Sequence, residues 1–477
     1  MREQNEAVES ENLQLRVLVT RLEARITELE RQLRQSSKNS SKPPSSEPSW
    51  KKRHAPQPPS GKKPGGQAGH EGHHRAGVDE GHEVIEHYPE VCSGCGEALG
   101  KESCEEPRVH QVTDLAEIRS QVTEHRMHGV GCKRCGKVTR ARKPAEVSNR
   151  LLGPRVTGLV SMLSGQYRMS KRSVETFVNT VLDIPISLGL VIACERIVSD
   201  KLGPVYEEAK ASICTEKLIH ADETGWHERH LGKDTRPYLW TAGHAQLSVF
   251  AIQEGRSQEQ ASALLGKPGE LKAFLVTDRY SGYHHYPLEE RQFCWAHLKR
   301  DFTAISEREE GGSALMGKKL LEQTDLLFHH YRAYDRDHTI DFAEFQRRTR
   351  PVQASVLHWL RMGAKSSCGK TKGTSKQLLK QHKALWTFVR IPFVPPTNNQ
   401  AERDLRPAVL WRKTSHGTQS EQGSRFVERI LTAVSTLRKQ KRDVWNFLHD
   451  LMTGKQISLL PPHISEISRA SPPKLAA

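Results

Sequence analysis

Apolar positions in this chain gather into short runs that end on acidic residues. Leu218, Ile219 and Ala221 read as a buried strand that leads into Asp222 and stops at Thr224 and Gly225. The pattern recurs where Phe274, Leu275 and Val276 lead into Asp278 and Ser281-Gly282 turns the chain. Between them, residues 236–243 (RPYLWTAG) and 247–254 (LSVFAIQE) read as the second and third strands of an antiparallel meander, with His244-Ala245-Gln246 as the turn. A further apolar run, Gln292 to Trp295, leads into the helical AHLKRDF.

Helical periodicity dominates elsewhere. Val8, Leu15, Leu22 and Leu29 stand seven apart, with Asn12, Val19, Ile26 and Leu33 four further on. Leucine at d with β-branched residues and one asparagine at a predicts a parallel two-stranded coiled coil, and hence self-association. Residues 151–200 predict about three helices, one carrying Val156, Leu159, Val160 and Leu163, the next capped by Ser170 and carrying Val174, Phe177, Val178 and Val181. With Arg168, Lys171 and Arg172 at its turn, this pair reads equally as a helix-turn-helix DNA reader or as packing against a core. Some ninety residues from Phe302 to Pro395 have a helical pattern, including the basic stretch KTKGTSKQLLKQHK. Pro395 and Pro396 forbid helix before Thr397, after which Thr397 or Asn398 can cap a helix carrying Glu402 in its second turn. A helix of Phe426, Val427, Ile430, Leu431, Val434 and Leu437 should pack back on the sheet. Asp443 offers a cap for a last helix before a proline-rich tail.

Composition changes the picture in two places. From Ser36 to about Gly77 the chain is Ser, Pro, Lys, Gly and His, which cannot bury enough apolar surface to fold alone. His70, His73 and His74 in that tract read as solvated side chains rather than metal ligands. Cys92-Ser-Gly-Cys95 and Cys132-Lys-Arg-Cys135, each followed by glycine, have the spacing of two knuckles that complete a tetrahedral zinc site. Residues 110–130 between them alternate like one or two strands, so the gap reads as a hairpin; Cys104 is a bystander. The chain has 477 residues and a formal net charge of +16, which favours a polyanionic partner such as nucleic acid. With no run of about 18 apolar residues and a charged start at Arg2, the expected location is the cytoplasm, at the nucleoid.

Two strand-end aspartates and a helix glutamate can share a pair of Mg²⁺ or Mn²⁺ ions, as phosphodiester chemistry needs. The blocks HADETGW, TDRYSGY, CWAHLKRDF and TNNQAERDLRP followed by WRK resemble those of bacterial insertion-sequence transposases of family sixty-six, the TnpC type. The likeness covers nearly the whole chain. It implies a multidomain α/β protein whose ribonuclease-H-like core, of the Asp-Asp-Glu class, is interrupted by a helical insertion. In such a core Asp222 lies on the first strand and Asp278 on the fourth, set side by side. The resemblance also implies a zinc-finger-like module at the cysteine pairs, structural Zn²⁺, DNA ends and target as partners, and accessory proteins of the same element.

The expected divisions are a coiled coil at 1–35, a basic linker at 36–80, a zinc module at 81–148, a helical segment at 149–200, a catalytic core at 201–440 with its insertion at 303–395, and a C-terminal helix and tail at 441–477. The expected activity is metal-dependent DNA cleavage and strand transfer. Its rivals are a non-catalytic zinc-containing DNA-binding regulator and a nuclease that does not join strands. Glu223 and Asp404 are the nearest substitutes among the acids, and His220 and His297 read as site-lining or as structural histidines.

Overall fold

Two short strands, β1 (Gly129–Gly131) and β2 (Val138–Arg140), form a hairpin, while β3 (Leu218–Gly225), β4 (Tyr238–Gly243), β5 (Ser248–Gln253), β6 (Phe274–Thr277) and β7 (Arg291–Phe293) form one mixed sheet. Its spatial order is β5-β4-β3-β6-β7. The first three strands are antiparallel, whereas β6 runs parallel to β3 and β7 parallel to β6. The computed structural model describes residues 15–23, 25–26, 77–78, 83–145, 147, 149–229, 231 and 235–460. The chain forms two units, Pro48–Gln121 and, separately, Met1–Glu47 with Val122–Ala477.

Between β2 and β3 lie α1 (Pro154–Gly165), α2 (Lys171–Val181) and α3 (Leu188–Ser212). Ser170 and Ser187 cap the second and third by accepting from the backbone N–H groups of Ser173 and Leu190. Helix α3 runs unbroken through residue 200, and Val198, Leu202, Val205 and Tyr206 belong to the same core as Ile219, Trp240, Phe250 and Leu275. Tyr206 is buried and donates its hydroxyl to the Phe250 carbonyl at 2.9 Å. Lys171, offered by the sequence to DNA, instead pairs with the buried Glu195.

After the meander come α4 (Gln258–Leu265) and α5 (Trp295–Ser306), then a helical region of α6 (Ser313–Asp335), α7 (Phe342–Gly363) and α8 (Gly369–Lys380). This region has its own core, in which Leu320, Leu327, Phe345, Val356 and Leu360 meet Phe293, Trp295 and Phe302. A short α9 (Thr387–Arg390) leads to α10 (Asn399–Ser415), α11 (Glu421–Lys439) and α12 (Val444–Thr453). Helix α11 covers the sheet edge at β5, where the N–H groups of Ser248, Phe250 and Ile252 donate to Thr436 Oγ1, Thr432 Oγ1 and Glu428 Oε1. Four-residue steps on the helix thus match two-residue steps on the strand.

The alternation between the cysteine pairs does not form a hairpin. No strand is assigned in residues 105–128, and Val109, Val112, Leu115 and Val122 are all exposed. Alternation selects a strand only where a neighbour completes the ladder and one face is covered. Residues 15–23 are helical, and the seam positions Leu15, Val19, Leu22 and Ile26 are each exposed. Val8, Asn12, Leu29 and Leu33 lie outside the described residues, as do His70, His73, His74 and the tail from residue 461. Among the described residues, no helix is long and apolar enough to cross a membrane.

Candidate functional site

The register of β3 and β6 positions the two aspartates. Leu218 pairs with Phe274, Ile219 with Leu275 and His220 with Val276. Asp222 and Asp278 each follow the last of these pairs by two residues, which sets them at the same level of neighbouring strands about 4.8 Å apart; Asp222 lies within β3, not at its end as the sequence suggested, and Asp278 lies just past the end of β6. Each carboxylate is held by a nearby backbone N–H: within β3, Asp222 Oδ1 accepts from the Glu223 N–H at 2.9 Å, and in the loop after β6, Asp278 Oδ1 accepts from the Tyr280 N–H at 2.8 Å.

Glu402 arrives from α10. That helix starts at Asn399, so Glu402 lies in its first turn rather than its second. Asn398 occupies the N-cap position without capping. Its side chain crosses to β3 instead, where Nδ2 donates to the Ala221 carbonyl at 2.8 Å and Oδ1 meets His220 Nδ1 at 3.1 Å. An amide oxygen only accepts, so His220 carries its proton on Nδ1 and is a structural partner of Asn398. The Asn398 N–H also donates to Cys294 Sγ at 3.2 Å, and the Trp295 N–H to the Pro396 carbonyl at 2.8 Å. The start of α10 is therefore tied both to the strand bearing Asp222 and to the start of α5.

Burial, the nearby Glu223 and Asp278 charges, and Glu402 push Asp222 well above the ordinary carboxylate range. Burial also raises Glu402, and Asp278 adds to this against the opposing charges of Arg300 and Arg403. Carboxylates crowded in this way disfavour one another's charge, which a cation between them would relieve. The other nearby acids are committed elsewhere. Glu223 pairs with Arg256 and accepts from the Tyr283 hydroxyl, and Asp404 pairs with Lys439 at 2.7 Å. Arg279, next to Asp278, turns to Asp301 at 2.8 Å and to Gln377 on α8 at 3.1 Å. This second bond brings α8, with exposed Lys370, Lys376 and Lys380, alongside the aspartate loop. Arg412 is bound to Thr224 Oγ1 at 3.0 Å and to the Gly225 carbonyl, while Arg403, Arg406 and Lys413 remain exposed.

The cysteine pairs are built alike. In the first, the Gly96 N–H returns to the Cys92 carbonyl and the Cys92 N–H donates to the Glu97 carbonyl; in the second, Gly136, Cys132 and Lys137 make the same two bonds. Gly96 and Gly136 take positive φ, 78° and 73°, which a side chain would resist. Backbone hydrogen bonds lower the Cys92 and Cys132 thiols. Each turn alone has the shape of a metal-binding knuckle.

Sequence reasoning missed the role of Asn398, whose partners are remote in the chain. It also missed that Cys294 and His297, three residues apart at the start of α5, converge with Glu402. The C-x-x-H spacing across a strand end was the available signal.

Residues 154–426 match the Transposase IS66 family, and residues 1–76 match a family of unknown function, DUF6444. Two proteins of Sinorhizobium fredii are similar, uncharacterized protein y4hP and uncharacterized protein y4qI. The first is 22% identical over 409 residues, covering 77% of this chain and 71% of that one. The second is 25% identical over 238 residues, covering 46% of this chain and 42% of that one.

Proposed function

Because the chain belongs to the Transposase IS66 family, we propose that it cuts and joins DNA at the ends of an insertion sequence, with Asp222, Asp278 and Glu402 holding two Mg²⁺ or Mn²⁺ ions. The observation that carries this reading is the shared level of Asp222 and Asp278 on neighbouring strands, with Glu402 brought to the same charge cluster by Asn398. Three antiparallel strands followed by two parallel ones support a ribonuclease-H-like core.

Divalent ions bound there would make water or a 3′-hydroxyl nucleophilic and neutralise charge on the leaving oxygen. The protein's own part is placement. The N–H groups of Glu223 and Tyr280 aim the aspartates, Asn398 fixes the first turn of α10, and Arg300 and Arg403 bias the site toward a phosphodiester. The exposed lysines of α8, with Arg403 and Arg406, give the DNA backbone a basic track whose contribution falls as salt rises. The Cys92-Cys95 turn and the Cys132-Cys135 turn each support a pair of thiolate ligands for structural Zn²⁺. The exposed apolar seam of residues 15–26 supports pairing with a second copy, and such a protein works at the nucleoid.

Full-length protein with a labelled element-end duplex, a target plasmid and Mg²⁺ tests this directly. Joined product is expected, with Asp222→Asn abolishing it and keeping DNA affinity. Binding without cutting would leave a DNA-binding regulator, and cutting without joining a nuclease.

A further inference from the structure

Beside the acid trio lies a second donor set of different chemistry. Cys294 closes β7 as the N-cap residue of α5, His297 follows in the first turn of that helix, and Glu402 reaches over from α10. One donor atom from each lies within 4.8 Å of the other two. His297 Nδ1 stands 3.6 Å from Glu402 Oε1, beyond hydrogen-bond range. Two nitrogen or oxygen ligands on one tetrahedral zinc, with bonds near 2.0–2.1 Å, are about 3.4 Å apart. The same Nδ1 is buried and has no hydrogen-bond partner, so the ring directs an unused donor into the cluster. Cys294 is buried, and its sulfur accepts the Asn398 N–H at 3.2 Å; burial holds the thiol above its ordinary value, so a metal that binds there displaces its proton.

We propose that Cys294 Sγ, His297 Nδ1 and a Glu402 carboxylate oxygen form a site for a thiophilic divalent transition metal of the zinc class, whose occupancy withdraws Glu402 from the DNA chemistry. The fourth ligand is water. On binding, the Cys294 thiol releases its proton to solvent and no other bond changes. Mg²⁺ prefers oxygen donors and has little use for sulfur and imidazole, whereas Zn²⁺ takes all three. The two metals therefore compete for one carboxylate, and zinc is the inhibitor. The inhibitory part rests on the assignment of Glu402 to the acid trio; the metal site does not.

The test titrates full-length protein with Co²⁺ and compares near-ultraviolet and visible absorption spectra of wild type and Cys294→Ser, so that sulfur from the C-x-x-C pairs cancels. A thiolate-to-cobalt charge-transfer band of one cysteine per chain is expected in the difference. His297→Ala should weaken that cobalt site at least about tenfold. Identical spectra for wild type and Cys294→Ser overturn the proposal. Should Cys294→Ser fail to fold by near-ultraviolet circular dichroism, unchanged cobalt affinity in His297→Ala overturns it instead. In the cleavage assay, micromolar Zn²⁺ should inhibit the Mg²⁺ reaction of wild type, and His297→Ala should need at least about tenfold more. A cobalt band in a protein that never cuts DNA would end the transposase reading but keep the metal site. Cleavage that Zn²⁺ leaves untouched, with the band present, would remove the inhibitory role.

Discussion

The side-chain amide of Asn398 donates to the carbonyl oxygen of Ala221 across 2.8 Å. This one bond joins the residue before Asp222 to the residue four before Glu402, and it is fully buried. It ties together the backbone segments that carry two carboxylates remote from each other in the chain.

Asn398→Leu keeps the volume and removes both polar contacts. Leaving the Ala221 carbonyl and His220 Nδ1 unpaired should cost about 1–3 kcal/mol in urea unfolding. Misplacing Glu402 by even about 1 Å should lower kcat for cleavage about a hundredfold, with KM for DNA little changed. Equal losses in kcat/KM and DNA affinity would instead place Asn398 in DNA binding.

Asp222 gives a prediction of opposite sign for stability. Its folded-state pKa is raised above the unfolded value, so its ionised form destabilises the metal-free protein, an effect absent at low pH and complete once the folded carboxyl ionises. Asp222→Asn keeps an oxygen for the Glu223 N–H and removes the charge. In EDTA at neutral pH its Tm should exceed that of wild type, while added Mg²⁺ should raise the wild-type Tm more. A lower Tm for the variant in EDTA would mean that the acids do not crowd one another.

His220 sets a pH window. Burial holds the folded imidazole down at about 4, against 6.5 for a free one, so the folded state favours the neutral ring. A depressed histidine contributes stability that is full above the unfolded value and is lost as pH falls from about 6.5 to about 4, then stays level. The ceiling for this shift is about 3 kcal/mol. Urea midpoints at pH 7.5 and 5 should differ for wild type, and His220→Gln should flatten the difference. An undiminished slope in His220→Gln would assign the acid sensitivity to other groups.

The strands that present Asp222 and Asp278 were legible because their signals are local: apolar runs of strand length, turn residues after each acid, and a meander between them. What closes the site was not. Asn398 meets Ala221 across 177 positions, and before a helix the same residue reads as an ordinary cap. Nearness in sequence does not give the charge partners either, since Arg279, beside Asp278, goes to Asp301 and Glu402 faces His297. The alternating stretch around Val112 and Val122 looked like strand because period alone does not show whether a partner exists. Helix α3 passes residue 200 because its apolar stripe carries on into the sheet core, past Pro204 within the helix.

The covered sheet edge makes the last prediction. Strand β5 ends the sheet, so its outward N–H groups have no neighbouring strand, and Thr432 and Thr436 of α11 take two of them. Thr436 also donates to the Ser248 carbonyl at 3.1 Å, acting as one residue of a missing sixth strand. Valine matches threonine in shape, so Thr432→Val changes little except that it leaves the Phe250 N–H buried and unpaired. That should cost about 1–3 kcal/mol, and Thr436→Val, which loses two bonds, should cost more. An edge robbed of its cover also invites pairing with another chain, so both variants should form more large species on size-exclusion chromatography than wild type. Unfolding midpoints equal to wild type would show that the edge is satisfied by water, and that α11 is held by its apolar face alone.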